Sequence, residues 1–204
     1  MSVSSCNHGF YSDTRFAPGA FSRQLHSLVP EDAGPILFLC IGSDRITGDC
    51  LGPLVGHRLS MCTLPDCTVL GTLSSPVHAG NLPQVMETIR REYPSHFVIA
   101  IDAALDCLET VGQIYLHDYP LSPGAGVQKY LPPAGEISIT GVVAPLEPFS
   151  ASMLSETRLS VVMQMADCIV EGVLVWRMVR EMRRLLAKCD SNTIPLHLPQ
   201  NPLY

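Results

Sequence analysis

PILFLCIGSDRITGDCLGP, residues Pro35 to Pro53, is the stretch on which the fold turns. Ile36 to Ile41 is an unbroken apolar run of strand length, with no alternate polar positions for a wet face. Such a run fits a central parallel strand covered on both sides. At Gly42 it gives way to Ser43, Asp44, Thr47, Gly48 and Asp49, a loop dense in turn formers. Pro53 then opens a helical pattern carried by Leu54, Val55, Leu59 and Cys62. Strand, loop and helix in this order begin a βαβ unit.

Downstream the pattern repeats. Cys67 to Leu70 is a short β-branched run, His78 to Glu92 carries Leu82, Val85, Met86 and Ile89 at helical spacing, and Phe97 to Ile101 (FVIAI) is another buried strand. Right-handed crossovers make the three strands parallel, which predicts an α/β fold: a three-layer α/β/α sandwich around a mostly parallel, doubly wound sheet. Gln113 to His117 and Ile137 to Val143 read as further strands in a sheet that turns mixed, and Leu154 to Leu186 reads as one long covering helix. Residues 1–33 read as a peripheral arm with a short helix from Phe21 to Val29, residues 34–190 as a single domain, and residues 191–204 as a tail broken by Pro195, Pro199 and Pro202.

Composition narrows the function. A net charge of −6 and a pI near 5.6, with basic residues scattered except for Arg177, Arg180, Arg183 and Arg184, predict no phosphate-binding face and no nucleic-acid partner. Met1 to Asn7 lacks the basic start and apolar run of a secretory signal, so a cytoplasmic location is expected. The eight cysteines form no C-x-x-C pair and the seven histidines are dispersed, so neither disulfides nor a zinc site is expected, nor any other cofactor. Asp167, Glu171, Arg177, Arg180 and Glu181 interrupt the long C-terminal helix, which argues against a membrane span. The apolar side of that helix is compatible with a homo-oligomer, core packing being its default use.

Ligands of a doubly wound sheet sit beyond the carboxyl ends of its strands, where the strand order reverses. If the Cys67 strand lies outside the Ile36 strand, that crevice opens between the Ile36 and Phe97 strands, and the loops after them carry Asp49 and Asp102. Taken singly, an Asp after a strand caps a helix and an Asp in a glycine loop makes an Asx turn. Together in a partly dry cleft, two carboxylates resist simultaneous ionisation, so one holds a proton while the other activates water.

The motifs CIGSDRITGDCLGPL (Cys40 to Leu54), SSPVHAGNL (Ser74 to Leu82), IDA (Ile101 to Ala103), SPGAGVQK (Ser122 to Lys129) and GEISITG (Gly135 to Gly141) resemble the sporulation protein YyaC family. That family is similar to the spore germination protease and, more distantly, to the hydrogenase maturation proteases. The resemblance implies a hydrogenase-maturation-protease-like fold and a sporulation-associated peptidase in the spore or forespore interior. It makes Asp49 and Asp102 the catalytic carboxylates and small acid-soluble spore proteins candidate substrates. No histidine occupies the place of the third nickel ligand of the maturation proteases, so a metal-free mechanism is expected.

Around this pair, the substrate-binding candidates are Asp44 and Arg45 in the same loop, His78 at the start of the second helix, and Gly124 and Gly126, whose backbone N–H groups could meet a substrate carbonyl. Each has a structural alternative: an Asx turn for Asp44, a salt bridge for Arg45, capping for His78 and a plain turn for the glycines. Cys50 has no histidine placed to activate it and reads as a buried cysteine. The glycine loop lacks both P-loop and dinucleotide spacing. Two other readings stay open: a binding or regulatory module on the same fold, and a metal-dependent maturation-type protease.

Overall fold

The computed structural model describes residues 9–13, 17–123, 133–146 and 150–191. In chain order the elements are β1 (Phe10–Tyr11), α1 (Ala17–Leu28), β2 (Ile36–Cys40), α2 (Leu51–Ser60), β3 (Cys67–Leu70), α3 (Leu82–Glu92), β4 (Phe97–Asp106), β5 (Gln113–His117), β6 (Ile137–Pro145), α4 (Ser150–Glu156) and α5 (Leu159–Ser191). The six strands form one sheet in the order β1-β5-β6-β4-β2-β3. Strands β3, β2, β4 and β6 run parallel, while β5 joins β6, and β1 joins β5, antiparallel. The α/β, mostly parallel, doubly wound expectation holds, with the order reversing between β2 and β4.

Alternation along the strands sorts the core into two layers. Ile36, Phe38, Cys40, Ile99, Ile101, Ile137 and Ile139 face one way and pack under α1, α2 and α5, with Phe21, Leu51, Val55, Ile169 and Trp176. Leu37, Leu39, Ile41, Val98 and Ala100 face the other way, under Leu82 and Ile89 of α3. Asp102 continues the even-numbered series of β4 and so belongs to the α3 side.

Several expectations are corrected. β4 does not stop at Ile101: Ala103 to Asp106 stay paired with β6, across a bulge between Ala104 and Leu105. Asp102 therefore lies within a strand. The N-terminal helix is longer than expected and is not peripheral, because Ala17, Phe21, Leu25 and Val29 are buried. It approaches α5 closely at Gly172, where a Cβ would run into the Phe21 ring. The long C-terminal helix is two helices, α4 and α5, separated at Thr157 and Arg158.

By length and composition α5 is apolar enough to cross a membrane, but half of its most apolar window is buried inside the protein, which is what a core helix requires. Near its middle, two buried arginines tie distant loops to it. Arg177 donates to the carbonyl of Pro65 (2.6 Å), and Arg180 to those of Pro30 (2.9 Å), Glu31 (3.1 Å) and Ala33 (3.0 Å). Both guanidinium groups lie near the Trp176 ring, at 5.9 and 5.5 Å from its centroid. The loops entering β2 and β3 are thereby fixed.

Candidate active site

β2 ends at Cys40, which pairs with Ile101 of β4, so Asp102 emerges one residue beyond the end of its neighbouring strand. The chain leaving β2 stays close: the Ile41 N–H donates to the Ile101 carbonyl (2.7 Å) and the Gly42 N–H to that of Val77 (2.8 Å). The second bond draws the segment carrying His78 alongside. Gly42 has φ of +141°, a conformation open to glycine, and a Cβ there would meet the Asp49 carbonyl oxygen. The loop can thus fold back on itself, and the Ser43 N–H donates to the Asp49 carbonyl (3.0 Å). Asp49 sits in a single 3-10 turn, Gly48–Cys50, that leads into α2. The turn is backed by α4, since Gly48 lies against Leu154 and Thr157.

Both carboxylates are half-buried. Loss of water raises the pKa of Asp49 to about 6, opposed by hydrogen bonding from the Ser43 backbone and by nearby His78. Asp102 is pushed well above the usual carboxylate range, first by burial and then by the charge of Asp49. The N–H of Ala103, 2.8 Å from Asp102 Oδ1, only partly offsets this. The pair can hold one proton near neutral pH, the ionised member being Asp49.

Of the remaining candidates, His78 flanks the pair: its own N–H is bonded to Asn81 Oδ1 (2.8 Å), its Nδ1 accepts from the Gly80 N–H (3.1 Å), and its ring is exposed. It acts as a local turn former as well as a neighbour of Asp49. Asp44 and Arg45 are exposed on the loop; the Arg45 N–H is bonded to Ser43 Oγ (3.2 Å), and its guanidinium makes no ion pair among the described residues. Gly124 and Gly126 lie outside the described residues. Cys50 is buried, its thiol bonded to the Thr47 carbonyl (2.9 Å) and its pKa raised by burial, so it is no ready nucleophile.

The sheet adds neighbours that sequence reading missed. Thr140 of β6 is the register partner of Asp102, so the two side chains stand side by side on one face. Thr140 Oγ1 is 2.9 Å from Nε2 of His117, whose Nδ1 is 2.9 Å from the hydroxyl of Tyr119. Burial lowers the pKa of His117, which keeps its ring neutral. The signal was the alternation of GEISITG, which puts Ser138 and Thr140 on one face; their proximity to Asp102 follows only from β6 pairing with β4. Glu136 of the same motif has a structural task, its carboxylate accepting the Val98 N–H (2.6 Å).

Among the described residues no three His, Cys, Asp or Glu side chains come together as a metal site.

The chain is 45% identical over 150 residues to a Bacillus subtilis (strain 168) protein called "Uncharacterized protein YyaC", the alignment covering 73% of each. Among solved structures it is similar to the crystal structure of a NiFe hydrogenase maturation protease, HycI, from Thermococcus kodakarensis KOD1. That likeness has a TM-score of 0.37 at 16% identity and covers 68% of this chain and 97% of the other. The family described as "Protein of unknown function (DUF1256)" matches residues 10–172, most of the chain, and the protein belongs to it.

Proposed function

We propose that the protein is a peptide-bond hydrolase whose working groups are Asp49 and Asp102. The observation that carries the reading is the placement of two half-buried carboxylates at the switch point, Asp49 in the turn after β2 and Asp102 on β4 beside it, where burial first and then the charge of Asp49 favour a proton on Asp102. Ionised Asp49 takes a proton from water as its oxygen attacks the substrate carbonyl. Protonated Asp102 delivers its proton to the departing amine, and a further proton exchange restores the pair. With the Tyr119 O–H donating to Nδ1 of His117, Nε2 donates to Thr140, and the Thr140 hydroxyl proton is left to meet a substrate oxygen beside Asp102.

The substrate class is protein or peptide. Small acid-soluble spore proteins are the first to try, in keeping with the motif resemblance and with a role in the cytoplasm of the forming spore. His78, Asp44 and Arg45 flank the crevice as substrate contacts. The test is incubation of those proteins with the purified enzyme from about pH 4 to about pH 9, with Asp49→Asn and Asp102→Asn in parallel and fragments read by mass spectrometry. Cleavage by the parent protein and by neither variant supports the reading. Cleavage by both variants overturns it, and substrate bound but left intact replaces it with a binding module on the same fold.

A further inference from the structure

The opposite end of the strands holds a second concentration of charge. Arg180, Arg183 and Arg184 of α5, with Ala187, His26 of α1 and Glu31 of the following loop, line a cavity of about 120 Å³. It lies where Pro30 to Ala33 lead into β2, at the amino-terminal end of the strands and away from Asp49 and Asp102. The arginine cluster alone, read along the chain, marked no binding face. His26 and Glu31 join it only because α1 packs on α5.

The charges around this cavity do not balance. Three guanidinium groups and an imidazole face one carboxylate, that of Glu31, which is 3.1 Å from Arg183. Asp66, just outside, reaches Arg184 only at 3.9 Å. Arg180, 4% exposed, spends its terminal nitrogens on three backbone carbonyls, yet its Nε is buried with no partner. His26 Nε2 is buried and unpartnered as well. Burial first, and then the charges of Arg184 and Arg177, depress the pKa of Arg180; burial first, and then Arg183 and Arg180, depress that of His26, with Glu31 opposing both shifts. Buried donors without acceptors are costly, and a cavity of this size has room for more than one water-sized group.

We infer that the cavity between α1, α5 and the 30–33 loop is a binding site for a small phosphate-type dianion, either the free ion or the phosphate group of an ester. A tetrahedral dianion offers oxygens in several directions at once, which suits the guanidinium forks of Arg183 and Arg184 on α5 together with the His26 ring on α1, and brings negative charge to a lining with more cations than carboxylates. The site does not depend on the hydrolase reading.

The test is calorimetric titration of the full chain with inorganic phosphate and, separately, with methyl phosphate, on the parent protein, Arg184→Gln, and the double variant Arg183→Gln/Arg184→Gln. Both arginines are partly exposed, so the variants should keep the parent's melting behaviour in phosphate-free buffer. The expected result is saturable one-to-one binding in the millimolar range or tighter, weakened about tenfold in Arg184→Gln and further in the double variant. Methyl phosphate binding as well as inorganic phosphate assigns the cavity to an esterified group, and inorganic phosphate alone to the free ion. No saturable binding of either probe, or equal affinity in the parent and a folded Arg184→Gln, overturns the proposal.

Discussion

Asp102 is expensive to ionise where it stands, and the cost has a direction in pH. Its folded pKa lies above the value of an unfolded chain, as does that of Asp49, so between the two values the folded state binds more protons and stability falls as pH rises. Asp102→Asn keeps an oxygen for the Ala103 N–H and removes the charge. The variant is expected to melt higher than the parent at pH 8, with the gap closing toward pH 4, as thermal unfolding at both pH values would show. Activity should follow the same two groups: a rising limb centred at about 6 as Asp49 ionises, and a fall at higher pH as Asp102 loses its proton, visible in the pH profile of kcat/KM. Thr140→Val is expected to lower kcat by roughly 10–100-fold with the fold intact, as steady-state kinetics would show. The two aspartates were legible because each lies in a motif next to an apolar run. Thr140, His117 and Tyr119 were not, since what makes them neighbours of Asp102 is the pairing of two strands far apart in sequence.

At the scale of elements, apolar runs and helical spacing identified β2, β3, β4 and α3, because buried parallel strands have no polar positions to blur them. The apolar run of β4 ends at a charged residue, but a strand continues for as long as its neighbour offers hydrogen bonds, and β6 does so as far as Asp106. α1 likewise begins before Phe21, because Pro18 and Gly19 stand in its first turn, where neither must supply an interior bond. What holds that helix is Phe21 over Gly172. Gly172→Ala gains up to about 1 kcal/mol of helix propensity but drives a methyl group into the Phe21 ring, so a net loss of roughly 1–2 kcal/mol is expected in urea unfolding. A variant with unchanged or raised stability would show that α1 shifts freely along α5.

For the whole molecule, α1 decides whether the N-terminal segment can be dispensed with. Burying Phe21, Leu25 and Val29 is worth on the order of 5–9 kcal/mol, comparable with the entire stability of an ordinary domain. Removing residues 1–33 should therefore leave a chain without a cooperative thermal transition, which circular dichroism would detect. A folded, active truncation would instead mark the segment as a detachable cover. The two carboxylates also differ in what anchors them. Asp102 is stitched into the β4–β6 ladder, whereas Asp49 hangs on one 3-10 turn backed by α4. Amide hydrogens around Asp102 should exchange with solvent only when the sheet opens, while those of Gly48 to Cys50 should exchange through smaller, more frequent openings. On warming, the partnership of the two acids would then dissolve some degrees before the protein does, and the working temperature range would be set by one turn of chain rather than by the core.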